Sequence, residues 1–147
     1  MTQCHLKGSA CYCENSKQLT TKCKHRFSCA YPTHFEKFVD NASPSRYALR
    51  ANGGEITMKI CAEKNDAQTT LQQSLSAFKS KHGGEVEYSS IGETYYAVRI
   101  NDDGFCYYKY LRSKNNNFYW FEFTYPEDER DTYEGYIQHI YESFTIK

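Results

Sequence analysis

The chain has 147 residues, with 18 Lys and Arg balancing 18 Asp and Glu, and a mean hydropathy of −0.79. That length suits one domain able to fold without a metal or disulfide staple. The balanced charge argues against the broad basic surface of a nonspecific nucleic-acid or anionic-membrane binder, and no apolar run approaches the ~20 residues of a membrane span or forms the core of a secretory signal. A processed exported protein with Met1 as an added start would read the same way. Fourteen Tyr, nine Phe and one Trp point to a sheet-rich core, because aromatic side chains fit the half-buried pleated surface of strands and Tyr keeps its hydroxyl wet.

Residues 1–25 contain four of the seven cysteines and no helical or strand period, so they are read as a cysteine-rich extension of a domain spanning 26–147. Lys22, Lys24 and Arg26 are the nearest thing to a basic patch and are read as a solvated strand edge. Phe27, Cys29 and Tyr31 then alternate with polar or small residues before Pro32, which predicts a strand. Residues 33–46 read as a loop with one helical turn. Segments 47–51 and 55–63 flank Asn52-Gly53-Gly54 and predict a hairpin with Ile56, Met58, Ile60 and Ala62 on one face.

Asp66, Thr69 or Thr70 can cap a following helix in which Leu71, Leu75 and Phe78 recur at helical spacing, and His82-Gly83-Gly84 supplies its stop. Val86 and Tyr88 begin another strand, and Tyr96, Val98 and Ile100 form the next. Residues 101–104 turn the chain into FCYYKYLR, and residues 113–117 turn it into FYWFEFTY. In that last strand Tyr119, Phe121, Phe123 and Tyr125 share one face and Phe118 and Trp120 the other, so both faces need a cover. The first helix is one cover. A second, starting near Asp131 or Thr132 with Tyr133, Ile137, Ile140 and Phe144 at helical intervals, is the other. The acidic run 127–131 is read as capping that helix through its dipole rather than as an acid–base pair. The order predicts an α+β fold: a central antiparallel sheet of about six to seven strands flanked by two main helices.

The segments FSCAYPTHF, YYAVRI leading into FCYYKYLR, FYWFEFTYP and the closing IYESF, in that order, resemble the PsbP-like superfamily. That group includes the extrinsic protein of photosystem II, a Ran-GTPase nucleotide-release factor and many bacterial domains. The resemblance covers residues 26–147. It implies an α/β/α sandwich that works by docking on a larger partner, and it brings no shared catalytic residue. The cysteine-rich extension departs from the family pattern.

Zinc would recruit four of Cys4, His5, Cys11, Cys13, Cys23, His25 and Cys29, but their spacing lacks the paired Cys-x2–4-Cys of structural sites. Disulfides suit these residues better and imply an oxidising compartment. The odd cysteine count leaves at least one thiol unpaired in a monomer, and the sequence does not give the pairing. Cys29, Cys61 and Cys106 are also readable as small buried apolar residues in strands. Cys106 with His139 or His82 is the pair a thiol hydrolase would use, and His82-Gly83-Gly84 is similar to an oxyanion loop. A helix end explains both glycines, and no catalytic motif accompanies them. Asp102 and Asp103 are read as turn residues. Tyr107, Tyr108, Tyr110, Tyr119 and Trp120 are the candidate interface, through whichever rings stay exposed.

The reading that follows is a monomeric, non-enzymatic binding or accessory module, bacterial and extracytoplasmic, with a protein partner, no cofactor and no nucleic acid. A thiol hydrolase and a zinc-stabilised interaction domain are the alternatives.

Overall fold

The computed structural model describes residues 4–7, 10–13, 16–20, 27–32, 34–38 and 46–146, with side chains for 34–36, 48–51 and 53–146. Twelve strands are described: β1 (Cys4–Lys7), β2 (Ala10–Cys13), β3 (Ser16–Thr20), β4 (Phe27–Pro32), β5 (Glu36–Phe38), β6 (Arg46–Ala51), β7 (Ile56–Lys64), β8 (Glu85–Ile91), β9 (Tyr95–Asp102), β10 (Phe105–Lys114), β11 (Asn117–Pro126) and β12 (Thr145–Ile146). Two helices accompany them, α1 (Leu71–His82) and α2 (Arg130–Ser143). Seven strands form one antiparallel sheet in the order β5-β6-β7-β11-β10-β9-β8. A second sheet has the order β12-β4-β3, and β1 pairs with β2.

The aromatic strand lies at the centre, between β7 and β10. Its alternation divides the core. Tyr119, Phe121, Phe123 and Tyr125 pack with Ile56, Met58, Ile60 and the α2 residues Tyr133, Ile137 and Ile140. Phe118 and Trp120 pack on the opposite side with Leu75 and Phe78 of α1 and with Tyr96, Val98 and Ile100 of β9. Helices therefore cover both faces, as the two-sided apolar strand requires.

Local chemistry fixes several boundaries. Thr70 accepts a hydrogen bond from the Gln73 backbone N–H while the Gln73 side chain accepts from the Thr70 N–H, a reciprocal cap that starts α1. Gly83 ends that helix at φ 65°, a conformation that favours glycine. The β9–β10 turn uses Asp103 and Gly104 at φ 51° and 83°, and the β10–β11 turn uses Asn115 and Asn116 at 52° and 62°. Two consecutive positive φ angles match the twist of antiparallel hairpins.

Three elements differ from the sequence expectations. Residues 1–25, expected without strand period, contain β1, β2 and β3; their pairing is made by backbone groups, which Cys, His, Lys and Ser supply as well as apolar residues do. Within 33–46, expected as a loop with one helical turn, the described residues include the short strand β5, paired with β6. The buried stripe of α2 is also wider than its four expected positions, since Tyr136 and His139 are buried too. The reason is that β4, β2 and β1 lie against this helix, giving it a second buried flank.

Candidate functional site

On the α2 face, cross-strand register sets Tyr88, Arg99, Tyr108 and Phe123 in one row. The next row contains Ser90, Ala97, Tyr110 and Phe121. The helix covers the β11 end of these rows with Ile137, Ile140 and Phe144, while the β8 end reaches solvent. There Tyr88 is 46% exposed and Tyr141, on the last turn of α2, is 42% exposed. Tyr95 and Tyr108 beside them are half-buried.

The rings form one cluster. Tyr110 meets Tyr141 edge-on at 5.0 Å and Tyr95 at 6.2 Å between centroids. Burial raises the pKa of the Tyr108 hydroxyl, and the neighbouring Tyr88, Tyr110 and Tyr141 add to the effect. Arg112 donates to the Tyr110 hydroxyl at 2.6 Å and lies over the Phe144 ring. The result is a tyrosine patch with its rings held by packing and its outer members wet.

A polar latch borders the patch. Arg130, the first residue of α2, donates to both carboxylate oxygens of Glu87 at 2.6 and 2.9 Å and reaches the Cys106 sulfur at 3.4 Å. Arg99 meets Glu134 at 2.7 Å and Glu87 at 3.5 Å. The hydrogen bond from Arg130 holds the Glu87 carboxyl below the usual carboxylate range, helped by the charges of Arg130 and Arg99 against partial burial. Burial raises the Tyr125 hydroxyl, and the neighbouring Cys106 and Glu134 raise it further. The latch ties the helix start to β8, where the register shifts between Val86 and Tyr88 and leaves Glu87 as a bulge residue.

Of the five candidate interface aromatics, Tyr110, Tyr119 and Trp120 are buried at 3–4% exposure, and Tyr107 and Tyr108 keep partial exposure. Tyr107 lies on the other face, stacked on His82 at 4.2 Å. Trp120 donates to Glu63 and carries Lys109 over its ring at 4.3 Å. The sequence reading missed Tyr88 and Tyr141. Their signal was a large apolar ring placed off the helical stripe, beside Ile140, and another on a strand with few apolar neighbours.

Cys61 and Cys106 are buried thiols. The group beside Cys106 is the Arg130 guanidinium; His82 packs on the opposite face of the sheet, between Phe78 and Tyr107. His139 is nine residues beyond Arg130 on α2, about 13 Å along the axis. The structure thus brings neither imidazole into the contacts described for this thiol. In His82-Gly83-Gly84, Gly83 is the helix stop, and a side-chain carbon on Gly84 would collide with the Asn101 carbonyl. Both glycines have structural reasons. The run 127–131 provides no side-chain cap at Glu129; Glu127 instead pairs with Arg130 at 3.6 Å, and Asp131 occupies the first helical turn. With Asp128 and Arg130 they line an open indentation of about 230 Å³.

Among the described residues, no group of three or more His, Cys, Asp or Glu is placed to hold a metal ion. The side chains of Cys4, His5, Cys11, Cys13, Cys23, His25 and Cys29, and those of Lys22, Lys24 and Arg26, lie outside the described residues. No described helix is long and apolar enough to cross a membrane.

The architecture is a PsbP-like α+β fold. The chain superposes on the solution structure of cyanobacterial PsbP (CyanoP) from Synechocystis with a TM-score of 0.66, at 13% identity, covering 90% of this chain and 93% of that one. At that identity the likeness is one of fold. A crystal structure from Bacteroides thetaiotaomicron matches with a TM-score of 0.48 and 15% identity over 82% of this chain and 45% of the other. No protein-family model and no curated protein sequence matches the chain.

Proposed function

We propose that this chain is a non-enzymatic accessory module that docks a protein partner through the tyrosine patch of Tyr88, Tyr95, Tyr108 and Tyr141. The exposure of Tyr88 and Tyr141 beside half-buried Tyr108 carries the reading. Packed rings present apolar area and a hydrogen-bonding tip while losing little conformational entropy on binding, which is why tyrosine anchors interfaces. The latch keeps β8 and the start of α2 in fixed relation beside this surface.

The module is read as bacterial and extracytoplasmic. Five cysteines by residue 29 suit a compartment where disulfides persist. Cys4 and Cys13 are direct register partners, and antiparallel neighbours lie about 4.5–5.5 Å apart at Cα, within the span of a disulfide. Peptide mapping without reduction is expected to recover them linked.

The docking test replaces Tyr141, and separately the exposed Gln72 of α1, with a photo-crosslinking amino acid in the native host. A discrete adduct from position 141 and none from 72 is expected. The partner, once purified, should lose about tenfold in affinity for Tyr108→Ala and Tyr141→Ala. Equal adducts from both positions, or turnover of a defined small substrate by the purified chain alone, would count against the reading.

A further inference from the structure

We infer that the outer edge of β8 pairs with the same edge of a second copy, joining two seven-stranded sheets into one. Among the described residues β8 is the terminal strand of its sheet, paired with β9 on one side and with no described strand on the other, so the backbone donors and acceptors of that edge can take another strand. Three of its residues are large, apolar and exposed: Val86 at 42%, Tyr88 at 46% and Ile91 at 44%. An edge of this kind is ordinarily guarded by charge. Between Val86 and Gly92 the one charged residue is Glu87, and its carboxylate is turned inward onto Arg130 and Arg99.

The sequence of the strand favours a copy of itself as the occupant. Register with β9 puts Val86, Ser89 and Ile91 on the α1 face, opposite Ile100, Val98 and Tyr96, and Tyr88 and Ser90 on the α2 face. An antiparallel two-fold centred on Ser89 sets Val86 against Ile91 of the second copy, Tyr88 against its Ser90, and Ser89 against itself. Each pair then shares a face, as directly opposed residues must. Glu87, the bulge residue, falls between pairs in both strands. Glu85 lands opposite Gly92, so no like charges oppose each other anywhere along the contact. A copy shifted by one residue would turn Val86 and Ile91 to opposite faces.

The two-fold stands perpendicular to the sheet, which places both α2 faces, and both tyrosine patches, on one side. This departs from the monomer expected from sequence. It does not rest on the docking reading, because Tyr141→Ala removes a patch ring while leaving the β8 edge intact.

Sedimentation velocity on the full chain at about 100 µM, which fills any dimer of micromolar Kd, is expected to show a dimer. Val86→Lys combined with Ile91→Lys sets like charges against each other twice and should weaken the dimer by about tenfold or more. Val86→Lys combined with Ile91→Glu sets opposite charges there and should restore it. Both positions are exposed, so the monomer should stay folded, with an unchanged circular dichroism spectrum as the check. As a second reading, Ser89→Cys under mild oxidation should give a crosslinked peptide joining position 89 to itself. A wild-type monomer at this concentration, including one that pairs with an added extended peptide and not with itself, overturns the inference. So does a dimer indifferent to the Lys/Lys pair, or one that crosslinks elsewhere and not at position 89.

Discussion

The two faces of the large sheet are built by different means. On the α1 side a 12-residue helix with its own reciprocal cap and glycine stop lies over a compact apolar cluster of Leu75, Phe78, Tyr96, Val98 and Trp120. On the α2 side the cluster is larger and dominated by rings, and the helix is tied down by ion pairs to β8 and β9 and covered in turn by β4, β2 and β1. The first face is held by local signals and apolar contact. The second depends on groups distant in sequence, and it is the one that brings tyrosines to solvent.

The largest expected effect separates the two faces by packing. Phe121 sits fully buried on the α2 side, in contact range of Tyr108, Tyr110 and Phe144. Phe121→Ala leaves a hole walled by rigid rings and should destabilise the fold by about 4–5 kcal/mol, whereas Leu75→Ala lies under a surface helix that can settle and should cost about 2–3 kcal/mol. Urea unfolding of both variants measures the difference. Equal losses would mean that the two faces are equally rigid.

A smaller effect tests the latch. Arg130→Ala removes the partner of Glu87 and the neighbour of Cys106. Its side chain is a quarter exposed, so solvent screening limits the loss to about 1–2 kcal/mol. The distinguishing readout is local: amide exchange in β8 should rise while exchange in α1 stays as it was. If β8 protection is unchanged, the bulge holds itself and the latch is incidental.

Sequence legibility follows the same division. A cap among Asp66, Thr69 and Thr70, and the stop at Gly83, announce α1 within a few residues of where they act, although the choice of Thr70 came from the structure, and the alternation of Phe118 to Tyr125 states that both faces are covered. The bulge at Glu87 was not readable, because the group that holds it stands 43 residues away at Arg130. Which tyrosines stay exposed was equally hidden: Tyr110 and Tyr108 are two apart on one strand and one face, and only the reach of α2 decides that the first is buried and the second half-open. The strands before Phe27 were missed for another reason. CHLK alternates over only four residues and ACYC does not alternate at all, so these strands are too short to leave a period that stands out from their surroundings.

The smallest expected effect compares the faces through their histidines. Burial lowers the ionisation of His82 on the α1 side; Lys81 adds to this, Glu122 and Asp102 oppose it, and Lys109 reinforces it. Burial likewise lowers His139 on α2, with Glu142 opposing. A folded-state pKa below that of the unfolded chain, about 6.5, means the unfolded chain takes up the proton first as pH falls. The histidine contribution is therefore fully present above that value and is lost as pH drops through the folded values. Glu87 acts in a lower window, its contribution being lost only as pH falls below the ordinary carboxylate range. Urea midpoints should accordingly fall between about pH 7.5 and 5.5, and His82→Gln and His139→Gln should each flatten part of that slope. His82 keeps partial exposure and has Glu122 and Asp102 nearby to favour its protonated form, while His139 is 2% exposed on a helix against which β4, β2 and β1 lie, so the flattening should be greater for His139. A slope indifferent to both substitutions would show that neither ring is kept neutral by its surroundings, and the contrast between an open and a twice-covered helix would lose its electrostatic half.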